Sequence, residues 1–274
     1  MFSVVICTYI HDNPKLLELA LKSIHNQHLL PFEVILVKDG PVNDKADIII
    51  SNFEADLKRK QIIFKLQAFS ENIGHGNARR SGIEITSCEF IAICDADDIN
   101  LPNRFSTQFN YLKDNMNISV VGSNIHEFTD NKLVAARLVP SESEDIKKFC
   151  RFRCPINQMT VMFKKKDIMD VGGYKDFYHN EDYFLWIRLI NAGYQLANIP
   201  EILVHANVDS QTYKRRGGYR YFQSELTIQI LLLRSNVTNV TIFVLNVAIR
   251  IFIQLLMPGS LRQILFKKFF RNRS

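Results

Sequence analysis

Three acids fall within four residues at Asp95-Ala96-Asp97-Asp98, directly after the apolar run Phe90-Ile91-Ala92-Ile93-Cys94. An apolar run without polar alternation reads as a strand buried on both faces of a parallel sheet. In open sheets of that kind, ligands bind beyond the carboxyl ends of the strands. Asp95 and Asp97 stand two residues apart, so in an extended chain they point to the same side. Paired carboxylates at such an edge suit a hard divalent cation, because Mg²⁺ is usually held by one or two carboxylates plus substrate phosphates. The competing reading is a solvated acidic turn after a core strand. Two other sites are excluded by spacing. An EF-hand loop needs a glycine near Leu101 and a closing acid, and a phosphatase of the D-x-D-x-T type needs threonine at Ile99.

The elements that must position these acids follow from punctuation and periodicity. Residues 2–7 read as a buried strand ending in Thr8-Tyr9, and Pro14 opens a helix with Leu16, Leu17, Leu19, Ala20, Leu21 and Ile24 as its apolar positions. A second strand at 32–37 breaks at Lys38-Asp39-Gly40-Pro41, a strong turn signal. A helix to about Arg59 and a strand at 62–66 come next, and Asn72-Ile73-Gly74-His75-Gly76-Asn77 leads into a helix bearing Ala78, Arg79 and Arg80. Beyond the acids, the pattern predicts a helix over 102–115, a strand at 118–122, a hairpin around Asp130-Asn131, a helix near Ile146 and a strand at 159–163. A further helix begins after Asn180, its expected cap, with Glu181 and Asp182 in its first turn. This alternation argues for a doubly wound α/β sheet. No G-x-G-x-x-G follows the first strand, so a dinucleotide site of the NAD type is disfavoured.

With 274 residues, 47% of them apolar and 23% charged, the chain can bury a substantial core as one large domain or one domain with an appendage. The five cysteines are odd in number, and Cys150-x-x-x-Cys154 lacks a second ligand pair for zinc, so they are expected to be reduced. The chain opens directly on a strand with no basic leader, so export is not expected. The net charge of +6 is unevenly placed: from Leu226 onward there are seven basic residues and no acid, which leaves residues 1–225 at −1. That distribution argues against nucleic acid as a partner of the main domain and for an anionic partner at the C-terminus. Residues 237–257 approach membrane-spanning length, yet Asn239, Asn246, Arg250 and Gln254 fall within an arc of about 80° at 100° per residue. Such a stripe suits a helix lying in the membrane interface or packed on the catalytic domain. After Pro258-Gly259, Leu261, Ile264, Leu265, Phe269 and Phe270 interleave with Arg262, Lys267, Lys268, Arg271 and Arg273, as in a basic helix drawn to anionic lipid.

With Asp39, the Asn72–Arg79 segment, Asp95-Ala96-Asp97-Asp98 and Glu181-Asp182 in that order, the chain resembles a glycosyltransferase of family 2 with the GT-A fold. The resemblance covers roughly residues 1–222, and Arg215-Arg216-Gly217-Gly218 with the basic tail looks like the bacterial subgroup that builds O-antigen, capsule and exopolysaccharide. It implies a catalytic domain over 1–222, with a nucleotide-sugar half to about 122 and an acceptor half from about 123, followed by a membrane-associating helical tail over 223–274.

The same resemblance assigns roles. Thr8 and Tyr9 would line a uracil base, Asp39 would accept a hydrogen bond from it, and Asn72 and Arg79 would serve the nucleotide and its phosphates. Asp95 and Ala96 would lie near the ribose and metal, with Asp97 the principal ligand of Mn²⁺ or Mg²⁺. Asp98 would touch acceptor or metal, or cap the turn before Pro102. Asp182 would be the general base for an inverting displacement, with Glu181 orienting it or binding acceptor. Trp186 would stack on an acceptor sugar or belong to the core. Arg215 and Arg216 would meet a diphosphate of donor or acceptor, or form a solvated basic turn. The implied reaction moves a hexose or N-acetylhexosamine from a UDP-sugar to a polyprenyl-diphosphate-linked saccharide, on a protein held peripherally at the cytoplasmic face of the bacterial inner membrane. The rival readings are a sugar nucleotidyltransferase, for which no glycine-rich, lysine-bearing loop is visible near the first strand, and a tethered carbohydrate-binding protein without catalysis.

Overall fold

The computed structural model describes residues 1–130, 132–208 and 216–258. Its centre is a run of parallel strands in the order β3-β2-β1-β4, formed by β1 (Phe2–Thr8), β2 (Glu33–Lys38), β3 (Ile63–Ala68) and β4 (Phe90–Asp95). The crossovers between them are α1 (Pro14–His25), α2 (Asp44–Arg59) and α3 (His75–Glu84). Successive side chains of a strand point to opposite faces, so an all-apolar run feeds two cores at once. Val4, Ile6, Val34, Leu36, Ala92 and Cys94 share one core with Leu17, Leu21 and Ile24 of α1 and Ile50, Phe53 and Leu57 of α2. Val5, Cys7, Ile35, Val37, Ile91 and Ile93 share the other with Ala78 and Ile83 of α3.

The sheet continues past β4 with mixed polarity. A short β5 (Ile99–Asn100) and α4 (Arg104–Asp114) follow the acids, then β6 (Ile118–Thr129), β7 (Lys132–Arg137), α5 (Ser143–Cys150), β8 (Met162–Lys164), α6 (Lys165–Asp170), α7 (Glu181–Asn191) and β9 (Gln195–Asn207). β8 runs antiparallel to both β4 and β6, while β6 and β9 pair in parallel. The expected alternation of strands and helices is therefore present. The strand expected at 159–163 starts only at Met162, because residues 158–160 form a 3-10 turn. Thr160 drives that turn: its hydroxyl donates to Asn157 O at 2.7 Å and accepts from Ser123 N at 2.9 Å.

Leu185, Trp186 and Leu189 of α7 enter the same core as α3, so these two helices cover one face of the sheet and bring their N-termini towards the carboxyl ends of β1 and β4. Two glycines allow the loops there to close. Gly40 has φ +88°, and a Cβ on it would stand 2.9 Å from Asn72 N. A Cβ on Gly76 would strike the Lys175 carbonyl. Gly76 thus serves close packing of loops, while Gly74 supplies a left-handed φ of +91° ahead of α3.

The C-terminal part forms α8 (Tyr219–Arg234) and α9 (Val240–Arg250), continued by a π-helical turn over Ile251–Leu256. Asn239 caps α9, its Oδ1 accepting from Ile242 N at 2.9 Å. The polar stripe turns inward: Asn246 is 3% exposed and donates to Gln229 Oε1 and Arg151 O, and Arg250 Nε donates to Glu225 Oε2 at 2.6 Å. Val240, Val244, Leu245, Phe252 and Leu256 consequently face outward, Leu256 at 68%. Among the described residues no helix is long and apolar enough to cross a membrane. The basic segment from Leu261 to Arg273 lies outside the described residues.

Gly76→Ala should lower stability by about 1–3 kcal/mol, since backbone stands where the methyl would go. Urea unfolding of both proteins checks this.

Candidate active site

Register fixes the floor of the site. Cys7 of β1 pairs with Asp95 of β4, and Thr8 pairs with Lys38 of β2, so Thr8, Asp39 and Asp95 reach one carboxyl edge. Asp39 N donates to Thr8 O at 2.8 Å. The Asp39 carboxylate is spent on local structure: Oδ1 accepts from Ile73 N at 2.7 Å and Oδ2 from Asn72 Nδ2 at 3.0 Å. Asp39 and Asn72 together thus hold the loop that launches α3. Tyr9 follows β1, its N–H donating to Asp12 Oδ2 at 3.0 Å.

At the centre lies Arg79, only 2% exposed. Its NH2 donates to Asp95 Oδ1 at 2.7 Å and its NH1 to Glu181 Oε1 at 3.3 Å. The guanidinium carbon also lies 5.7 Å from the Tyr174 ring centroid. His75 Nδ1 stands 3.3 Å from the same Glu181 oxygen. Arg79, expected to face the nucleotide or its phosphates, turns its guanidinium to these acids. Its charge is buried and committed to two carboxylates, one on the sheet edge and one on α7.

Each of these carboxylates has an acidic neighbour that remains unneutralised. Burial would raise Asp95, but the charge and hydrogen bond of Arg79, with help from His75, hold it below the usual carboxylate range. Asp97 is pushed up to about 6 by burial and by the Asp95 charge; its Oδ2 accepts from Asn207 Nδ2 at 3.3 Å. On α7, burial opposes ionisation of Glu181, yet His75 and Arg79 bring it down to about 2. Asp182 is pushed up to about 6 by burial and by the Glu181 charge. Asp182 Oδ1 accepts from Tyr183 N at 2.7 Å, and the Cys154 thiol lies 3.6 Å from Oδ2.

Other expected residues have different work. Asp98 is buried and its Oδ1 accepts from Asn207 N at 2.7 Å, so it ties the acidic loop to the end of β9. Burial and the Asp97 and Asp95 charges raise it well above the usual range. Ala96 is buried beneath the loop. Asn180 occupies the start of α7, but its side chain donates to Ser224 Oγ at 2.9 Å and does not cap the helix. Trp186 is fully buried, edge-on to Tyr174 at 6.3 Å, so of its two expected places it takes the one in the core. Arg216 is half-buried just before α8, and Arg215 lies outside the described residues.

Four contributors escaped the sequence reading. Asp12 is raised by burial, and it faces His75, Asp95 and Asp97 closely enough for their charges to act on one another. Its position at the carboxyl end of the first strand was the available signal. His75 sits at the start of α3, and Cys154 was weighed only as a zinc ligand. Arg104 supports the acids from below: it is fully buried, NH2 donates to Ile93 O at 2.7 Å and to Val161 O at 3.2 Å, and NH1 bonds Asn100 Oδ1.

Asp95 and Asp97 offer hard carboxylate oxygens of the type a divalent cation takes, with Asp12 close by and Asp97 partly open to solvent, while among the described residues no three acids, histidines or cysteines are gathered into a metal-holding group. A match to the model of the family described as "Glycosyl transferase family 2" spans residues 3–169, more than half the chain. The chain belongs to glycosyl transferase family 2. This family 2 enzyme is 35% identical over 273 residues, covering 99% of its length and 97% of the relative's, to a UDP-Gal:alpha-D-GlcNAc-diphosphoundecaprenol beta-1,3-galactosyltransferase of Escherichia coli. It is 32% identical, over 98% of each chain, to the amylovoran biosynthesis glycosyltransferase AmsE of Erwinia amylovora. Glu181 and Asp182 lie beyond the family match but within reach of these longer alignments. Its fold is that of S. aureus TarS residues 1–349 crystallised with UDP-GlcNAc, with TM-score 0.65 and 15% identity over 92% of this chain and 72% of that one. Likewise similar is the mannosyltransferase PcManGT of Pyrobaculum calidifontis in complex with GDP-Man and Mn2+, with TM-score 0.65 and 15% identity over 97% and 74%. The GT-A expectation is met.

Arg79→Ala should cost this family 2 enzyme about 3–5 kcal/mol, because it leaves two buried carboxylates without their counter-charge. Equilibrium denaturation near neutral pH measures the loss.

Proposed function

We propose that this enzyme moves a hexose or N-acetylhexosamine from a UDP-sugar to a saccharide carried on a polyprenyl diphosphate, with inversion at the anomeric carbon. The observation that carries the reading is the pair of unneutralised carboxylates, Asp97 and Asp182, at opposite ends of the Asp95–Arg79–Glu181 chain. Asp97, with Asp95, would hold Mn²⁺ or Mg²⁺; when bound, such an ion offsets negative charge on a leaving diphosphate. Thr8, Tyr9, Asp39 and Asn72 frame the nucleotide end. Asp182 accepts the proton of the attacking hydroxyl as the new glycosidic bond forms and the bond to UDP breaks. A pKa near 6 keeps it ionised at neutral pH while leaving it basic enough to take a proton. The names of the Escherichia coli and Erwinia relatives support this substrate class, and make UDP-galactose with a lipid-diphosphate N-acetylglucosamine the first pair to test.

Residues 1–222 would form the catalytic part and 223–274 the part that meets the membrane. The outward apolar face of α9 would enter the interface at the cytoplasmic leaflet, with the basic tail drawn to anionic headgroups.

Purified protein should release UDP and form product from this pair, more strongly with Mn²⁺ than without. Asp182→Asn should lose at least about a hundredfold in kcat while still binding UDP in a calorimetric titration. In the parent enzyme kcat/KM should fall as pH drops below about 6, because protonated Asp182 cannot accept the hydroxyl proton. Full activity in Asp182→Asn removes the base assignment. Replacing Phe252 and Leu256 together by aspartate should abolish co-sedimentation with anionic phospholipid vesicles, a simple readout for the tail.

A further inference from the structure

Trp186 is buried in the core, and the loop just before α7 carries a more exposed aromatic cluster. Phe177 stacks flat on Phe184, ring centroids 4.6 Å apart at 11°, and so belongs to the packing beneath α7. The next two residues turn the other way. The rings of Tyr178 and His179 lie 4.2 Å apart, His179 is exposed, and the Tyr221 ring is 6.4 Å from it. Arg220, also exposed, sets its guanidinium 4.3 Å from the Tyr178 ring centroid.

This cluster is built, and not a chance meeting of surface side chains. His179 holds φ +58°, a left-handed conformation that costs a non-glycine residue of order 1–3 kcal/mol and concentrates at ligand clamps. What holds it there is Ser224 of α8. Its hydroxyl donates to Tyr178 O at 2.7 Å and accepts from buried Asn180 Nδ2 at 2.9 Å, so the residues on both sides of His179 are anchored to one point. The loop then runs directly into Glu181 and Asp182. At the other end, Gly218 N donates to Gln254 O at 3.0 Å, which joins the start of α8 to the π-helical turn whose Phe252, Leu255 and Leu256 face outward. Base, aromatic rings, guanidinium and apolar surface thus follow one another along connected elements.

We infer that Tyr178, His179 and Arg220 form the acceptor subsite, the two rings receiving the face of a sugar and Arg220 the diphosphate that links it to lipid. This rests on the function proposed above and names the surface that its acceptor uses. The apolar faces of sugar rings pack on aromatic side chains, and a guanidinium presents paired N–H donors that match phosphate oxygens.

Steady-state kinetics on the full chain test this with Tyr178→Ala and Arg220→Ala, using UDP-galactose and N-acetylglucosamine on either a polyprenyl diphosphate or a neutral alkyl chain. Both variants should raise KM for the diphosphate acceptor about tenfold, with donor KM and calorimetric UDP binding unchanged. On the neutral acceptor, Arg220→Ala should match the parent while Tyr178→Ala stays impaired. His179→Gly, which suits the backbone conformation, should show the loss of the ring alone as a smaller rise in acceptor KM. Unchanged acceptor KM in Tyr178→Ala and Arg220→Ala, or an equal loss on both acceptors for Arg220→Ala, overturns the subsite. A parent enzyme that hydrolyses or binds UDP-sugar but transfers to no lipid-diphosphate sugar would instead sink the underlying reading, and this subsite with it.

Discussion

A buried guanidinium shared between two carboxylates is the constraint on which the rest of the site depends. Taking Arg79 out of water is expensive, and only close opposite charges make it tolerable. Asp95 and Glu181 provide them from different parts of the chain, 16 and 102 residues away in sequence. Their shared cation locks the carboxyl edge of β4 to the first turn of α7. It also sorts four acids into two kinds. Asp95 and Glu181 are neutralised and held below the usual range, while Asp97 and Asp182 are left to feel burial and their neighbours' charge, and rise to about 6. Arg79, with His75 beside Glu181, therefore leaves two further carboxylates raised by burial and by the retained charges of their neighbours.

The fold makes this possible through layering. α3 and α7 pack on one face of the sheet, so Arg79 and Glu181 approach from the same side above the strand ends. Close loop packing at Gly40 and Gly76 brings the 72–76 segment down onto the edge, and Asp39 secures it. From beneath, Arg104 fixes the chain after the acids through the carbonyls of Ile93 and Val161. These contacts surround the acids with rigid elements, which is what a preorganised site requires.

Much of this was legible in the chain. The unbroken apolar runs of β1, β2 and β4 announced strands buried on both faces, and the acids at their ends announced the edge. What could not be read was partnership. Arg79 looked like a phosphate ligand because an arginine at a helix start suits an anion, and nothing local revealed that Glu181 would reach it. Trp186 sat on the same face as Asp182, but the sequence could not tell which side of that face would meet Tyr174. The tail stripe was visible, although its direction was not: Asn246 and Arg250 face the protein because Glu225, Gln229 and backbone carbonyls of the 151–152 segment await them, Gln254 is buried with them, and that leaves the apolar residues outward. Asp12 and His75 were missed because their meaning comes only from the fold's juxtaposition of loops.

The claim at the centre is electrostatic: Asp182 is poised by the charge of Glu181, which Arg79 holds in place. The direct measurement is the pH dependence of kcat/KM for Glu181→Gln beside the parent. Removing that negative charge lowers the Asp182 pKa, so the acidic limb should move from about 6 to lower pH, by about one unit, whatever happens to the height of the profile. A limb that stays at the parent position, or moves upward, would contradict the account.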